Sequence, residues 1–281
     1  HSYISIRTTK SMKSSAIKTQ NTQIPRGSLL DPRALPNMVK YFSADLDTAA
    51  SGSDVSIKDF ISGSSIAGRN SGSRGAALAT TDGPTNNRAY DFSTGVYNLG
   101  NFNSQASNFA FTMVTKVTDT ATNGEGQIVF KNPTGFGFGG DFSVKYKVNI
   151  DTGGIDPSSI EGKIINNLNF TSDLNEPQTN AINNMLRTYH VMSIVQANGK
   201  LTLRFNGQQH RQVSNTGLTT NLDFLIGDDT ADGSSDAGSF DTPEFMVYTL
   251  SDPTSFADVI AIENYLQKKY DIGFRVRPPF S

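Results

Sequence analysis

The chain has 281 residues, a formal net charge of -2 and no cysteine. That charge provides no global attraction to nucleic acid or anionic membranes, and the missing cysteines exclude a disulfide framework, a thiolate nucleophile and a Cys-type zinc site. Apolar residues make up 36% and charged residues 18%, with 25 glycines, which suits one core of many short strands joined by polar turns.

Residues 1–35 read as a basic extended arm. Arg7, Lys10, Lys13, Lys18 and Arg26 meet no acid before Asp31, among many Ser, Thr and Gln. With Tyr3 as its only aromatic residue and no recognition fold after it, the arm suits docking on an acidic protein surface better than nucleic acid. Ile4, Ile6 and Ile17 would let it add a strand to a neighbour's sheet edge.

Residues 36–274 then read as one β-sandwich, with 275–281 as a tail. Strands are expected over Val39 to Ala44, Val55 to Ile61, Ala89 to Leu99, Phe109 to Val117 and Gln127 to Lys131. The Gly/Ser-rich stretch from Ser62 to Asn87 reads as surface loops. "GFGFGGDF", Gly135 to Phe142, lacks the Lys-Ser/Thr and helix of a phosphate loop and reads as a strand of alternating Phe and Gly. Gly154 to Arg187 reads as an insertion between strands with a short helix near Thr179 to Leu186.

A hairpin follows: His190 to Val195, a turn around Asn198-Gly199, then Leu201 to Phe205, because Asn-Gly provides the two positive-φ positions of a type I′ turn. Asn206-Gly207 predicts a second reversal into Gln209 to Val213, and two more strands are expected at Leu222 to Ile226 and Glu244 to Leu250. Phe256, Val259, Ile260, Ile262, Leu266 and Tyr270 form a helical stripe, with Ser255 and Asp258 spaced as a capping box and Gly273 as a stop. No run is long and apolar enough for a membrane-spanning helix, so no membrane insertion is expected.

The order "VKYFSADLD", "VSIKDFISGS", "RAYDFSTGVYNLG", "NFAFTMVTKV", "YHVMSIVQANGKLTLRFNGQQ", "LDFLIGDD", "PEFMVYTLSD" and the closing "FADVIAIENYLQKKYDIG" resembles the LamG-type concanavalin A-like lectin/glucanase domains of phage structural and bacterial surface proteins. The resemblance covers roughly residues 38–273. It implies an all-β, concanavalin A-like jelly-roll β-sandwich carrying the N-terminal arm and one C-terminal α-helix. The family often has Trp-x-Asp where this chain has Ile57 or Phe60 around Asp59, and there is no tryptophan here.

Sandwich glycosidases of this superfamily place two carboxylates on one strand, usually as Glu-x-Asp-x-x-Glu. The glutamates here, Glu125, Glu161, Glu176, Glu244 and Glu263, do not have that spacing, so no catalytic residue is assigned and the protein is expected not to be an enzyme. His190 within its strand reads as a packed residue first and a ligand contact second, and Tyr97 and Asn98 are the other ligand-binding candidates. The loop containing Asp228, Asp229, Asp232 and Asp236 reads either as a solvated turn or as a calcium site built from hard oxygen ligands.

The resemblance and the arm imply a non-enzymatic virion structural protein, such as a capsid decoration, fibre or tail component. Residues 1–35 would dock on other virion or assembly proteins, and the lectin-like domain would project within a homo-oligomer or larger assembly. The alternative is a carbohydrate-binding adhesin module, with glycans as partners, at a bacterial cell surface or outside the cell.

Overall fold

The computed structural model describes residues 31–47, 56–66, 77–79, 83–92, 97–101, 108–117, 125–131, 142–149, 154–163, 168–169, 184–214, 223–227 and 240–273. The strands, in chain order, are β1 (Met38–Ser43), β2 (Ile57–Lys58), β3 (Ser65–Ile66), β4 (Ala77–Ala79), β5 (Ala89–Asp91), β6 (Tyr97–Asn101), β7 (Phe109–Val117), β8 (Glu125–Lys131), β9 (Phe142–Asn149), β10 (Gly154–Lys163), β11 (Leu168–Asn169), β12 (His190–Ala197), β13 (Lys200–Phe205), β14 (Gln208–Ser214), β15 (Asp223–Gly227) and β16 (Phe240–Thr249). One helix, α1 (Ala257–Lys269), follows.

The larger sheet runs β14-β13-β12-β7-β16-β5-β4, with β1 also paired to β16. The second runs β11-β10-β9-β8-β15-β6, and β2 pairs with β3 alone. β16 is long enough to serve two neighbours along one edge: Asp241 and Thr242 pair with β5, and Glu244 to Tyr248 pair with β1. Pro243 sits at the changeover. It has no N–H to give a ladder, and the β16–β7 register shifts between Asp241 and Glu244.

Period-two alternation in the central strands accounts for the layers. Phe109, Phe111 and Met113 of β7, Met192 and Ile194 of β12, and Phe245 and Val247 of β16 share one core with Tyr97, Leu99 and Ile226 of the second sheet. The residues between them, Ala110, Val114, Val191, Val195, Met246 and Tyr248, pack instead with Val259, Ile262, Leu266 and Tyr270 of the helical segment. Both faces of the larger sheet are therefore covered, one by the second sheet and one by α1. The described residues form an all-β sandwich of two antiparallel sheets, closed by a C-terminal helix.

Several polar groups under α1 are paired, although the buried Gln267 Nε2 has no partner among the described residues. Thr112 Oγ1 lies 3.0 Å from Ser193 Oγ and 2.8 Å from the Tyr248 hydroxyl. Arg204, on the face of β13 opposite Leu203, makes two 2.9 Å bonds to the Glu263 carboxylate, a bidentate pair that fixes α1 across the strand. At the C-terminal end of the helix, Glu244 accepts from the Tyr41 and Tyr270 hydroxyls, both at 2.7 Å, and from Lys269 Nζ.

Several expected elements differ. The strand expected from Val55 to Ile61 is only Ile57–Lys58, because Asp59 turns the chain: its carboxylate accepts from Tyr41 N, Ile61 N and Ser62 Oγ. Ala89 to Leu99 is two strands, β5 in one sheet and β6 in the other. The first ten residues of the expected insertion are strand, β10, which pairs with β9 in the second sheet through a register shift between Asp156 and Glu161 that spans Pro157, while residues 184–186 are helical within the expected short helix. The capping box does not form. Phe256 occupies the cap position at φ 53°, and Asp258 instead accepts from Ser251 N, Ser251 Oγ and Asn37 Nδ2. Ile260, expected on the buried stripe, is 44% exposed.

A candidate ligand cleft at the end of the closing helix

A cleft of about 400 Å³ opens where four turns meet: the 3₁₀ turn Pro84–Asn86 before β5, residues 184–189 leading into β12, the β13–β14 turn at Asn206, and the chain leaving α1 at Tyr270 to Gly273. Its apolar part comes from the buried Met185, Tyr270 and Ile272. Its rim is polar and exposed, with Thr85, Asn184, Thr188 and Asp271, and Tyr189 stands half-buried between the two.

The lining is held rigidly. Thr188 donates from both N and Oγ1 to the Met185 carbonyl, 3.0 Å each, closing the turn that presents Tyr189. Lys116 Nζ lies 4.9 Å from the Tyr189 ring centroid on one side and 3.2 Å from Asp241 on the other. Asn206 donates its N–H to the Val191 carbonyl and accepts from Val191 N through Oδ1, both at 2.8 Å. Its carbonyl oxygen is thus committed, and its NH₂ is the group left to donate to a ligand. Tyr270 is fixed by its hydroxyl on Glu244, and burial followed by that carboxylate's charge raises its pKa well above the ordinary tyrosine value.

Three lining residues other than glycine have left-handed backbones: Thr85 at φ 58°, Asn206 at φ 48° and Asp271 at φ 50°. Asn and Asp tolerate this region. A β-branched threonine does not, and its conformation costs about 1–3 kcal/mol, the kind of local strain that concentrates at binding sites.

Behind Tyr189, His190 is fully buried, with Nδ1 2.9 Å from the Thr188 carbonyl and its ring 5.7 Å from that of Phe205. A carbonyl can only accept, so Nδ1 carries the proton. Burial lowers the pKa to about 4, and the ring is neutral at pH 7. His190 therefore supports the Tyr189 segment from inside and does not face solvent. Tyr97 is likewise buried, edge-on to Phe92 at 5.8 Å. Asn98 is partly exposed, and its Oδ1 accepts from Gly100 N at 2.8 Å within β6, where the pairing with β15 shifts register. None of these three lines the cleft. Asp228, Asp229, Asp232 and Asp236, and Arg7, Lys10, Lys13, Lys18 and Arg26, lie outside the described residues. Among the described residues no group of three or more His, Cys, Asp or Glu could hold a metal ion.

The sequence reading did not single out Tyr189, Asn184 or Asp271. Their signals were adjacency ones: a Thr-Tyr step before an apolar strand, and Asp-Ile-Gly just beyond the helical stripe.

No family model matches the chain, and no curated protein does. Solved structures do resemble it. Trypanosoma rangeli sialidase is 9% identical at a TM-score of 0.49, covering 84% of this chain and 33% of that one. Domain 4 of an extracellular arabinanase from Geobacillus stearothermophilus, in complex with arabinotriose, is 13% identical at a TM-score of 0.49, covering 80% of this chain and 98% of that one. The binding domain of botulinum neurotoxin serotype D/C is 12% identical at a TM-score of 0.47, covering 84% of this chain and 53% of that one. The chain thus spans about a third of the sialidase and about half of the toxin domain.

Proposed function

We propose that the protein is a non-catalytic carbohydrate-binding module whose ligand lies in the cleft at the end of α1. The observation that carries this reading is the cleft's division into an apolar floor with a half-buried aromatic ring, Met185, Tyr189, Tyr270 and Ile272, and a rim of hydroxyl, amide and carboxylate groups, Thr188, Asn184 and Asp271. A pyranose has the complementary character: an apolar C–H face for a ring to pack on, and equatorial hydroxyls that donate and accept in plane.

A non-catalytic role is supported by the two glutamates whose surroundings are described in full. Glu244 and Glu263 are 0% and 1% exposed, and each is committed to its own cation, Lys269 and Arg204. Among the described residues that line the cleft Asp271 is the one carboxylate, and glycoside hydrolysis needs two across the scissile bond. The motif order supports a LamG-type module, placed outside the cell or at a bacterial surface. Service on a virion, with residues 1–35 as the anchor, is the second reading, favoured by the uncompensated basic residues Arg7 to Arg26.

A glycan array with the intact chain, compared with Tyr189→Ala, tests the proposal. Selective binding that drops about tenfold or more in Tyr189→Ala is expected. Binding unchanged by that substitution would move the site elsewhere, and no binding to any glycan would remove the carbohydrate reading.

A further inference from the structure

The cleft's electrostatics narrow its ligand class. Among the described residues that line it, the only formal charge is the exposed carboxylate of Asp271. Directly beside Asp271, α1 delivers its C-terminal end, the negative pole of a 13-residue helix. Lys269 in the last turn is already neutralised by Glu244, and Lys268 is exposed without being part of the lining. Among the described residues two further cations border the lining, and Arg275 and Arg277, just after Gly273, lie outside those residues. Lys116 touches Tyr189 but is paired with Asp241, and Arg187 lies between Met185 and Thr188 in the chain but does not line the cleft. An anionic ligand would meet an exposed carboxylate and the wrong end of a helix dipole. Hydroxyl donors would find an acceptor in the same carboxylate.

We infer that the cleft selects neutral, hydroxyl-rich glycans and discriminates against carboxylated ones, with Asp271 as the residue that sets the preference. The inference rests on the carbohydrate reading of the same cleft. An exposed like-charge contact is worth up to about 1 kcal/mol, so the expected preference is about fivefold near 0.15 M salt, shrinking as salt rises.

The experiment measures the intact chain against pairs of glycans that differ only by a terminal carboxylated sugar, at low and high salt. Asp271→Asn and Arg187→Ala are measured in parallel. The neutral member should bind about fivefold more tightly, Asp271→Asn should reduce that ratio toward one, and Arg187→Ala should leave it in place. Equal or tighter binding of the carboxylated member by the parent chain overturns the inference while leaving the carbohydrate reading intact. A preference that survives Asp271→Asn unchanged overturns the role of Asp271. If neither member of any pair binds, the carbohydrate reading fails, and the inference with it.

Discussion

Replacing Glu244 with alanine should destabilise the protein far more than an ordinary surface glutamate would. The carboxylate is fully buried and is the acceptor for two tyrosine hydroxyls at 2.7 Å, from β1 and from the residue after α1, and for Lys269. Without it, both hydroxyls lose their acceptor in a site that water does not reach, at about 1–3 kcal/mol each. The Lys269 side chain is 19% exposed and can turn to solvent, so its loss is smaller. The sum is about 4 kcal/mol, and at 2–4 °C per kcal/mol for a chain of this size the melting temperature should fall by about 10 °C. Urea unfolding at pH 7 measures it. A triple variant with Tyr41→Phe and Tyr270→Phe should recover a large part of the loss, because two buried donors go together with their acceptor, leaving the Tyr265 hydroxyl and the partly exposed Lys269 to find other partners. A Glu244→Ala chain within about 1 kcal/mol of the parent, or a triple variant worse than the single one, would refute this account of how α1 is fastened.

Other consequences follow from the same structure. His190 has a folded pKa of about 4 against 6.5 for the free side chain, so its contribution is complete above about pH 6.5 and is lost as pH falls toward 4. That is about 3 kcal/mol in all, and stability-versus-pH curves for the parent and His190→Asn should converge by about that amount over this range. Burial raises the pKa values of Tyr41, Tyr90, Tyr248, Tyr265 and Tyr270. Their stabilisation is complete below about pH 10 and falls above it by about 1.4 kcal/mol per pH unit for each tyrosine, so tyrosinate absorbance should appear together with cooperative unfolding. Arg204→Met should cost about 3–5 kcal/mol by leaving Glu263 buried and unpaired, and Arg204→Met with Glu263→Leu should regain most of it in a thermal melt. Gly199→Ala should cost about 1 kcal/mol in the same assay, because φ at that turn is 69°.

Strands with an apolar face and a turn dictated by Asn-Gly were legible in the sequence. β7 runs from Phe109 to Val117 as its alternation predicts, and the β12–β13 hairpin turns at Asn198 and Gly199, both at positive φ. The second sheet was harder to see. β10 carries Gly154, Pro157, Ser158, Ser159 and Gly162, residues that read as loop one at a time, and it pairs through a register shift that a local pattern does not show. The α1 terminus misled for a related reason: Asp258 has the right spacing from Ser255, but tertiary partners Asn37 and Ser251 took its oxygen.

The cleft was the least legible part, because its lining comes from four turns far apart in the chain, and what each side chain contributes depends on what the others leave exposed. The sequence candidates Tyr97 and His190 were aromatic or polar residues in strands, where the alternation places them in the core. Residues that can meet a ligand are instead next to strand and helix ends, such as Tyr189 one position before β12 and Asp271 two positions after α1.

The most direct test of the central claim is a chemical-shift map of the intact, isotope-labelled chain titrated with the strongest neutral glycan from the array. Shifts should concentrate at Asn184, Thr188, Tyr189, Asn206 and Asp271 and saturate together. Shifts that concentrate elsewhere, for instance at residues 228–236, with the Tyr189 and Asp271 signals unmoved, would contradict it.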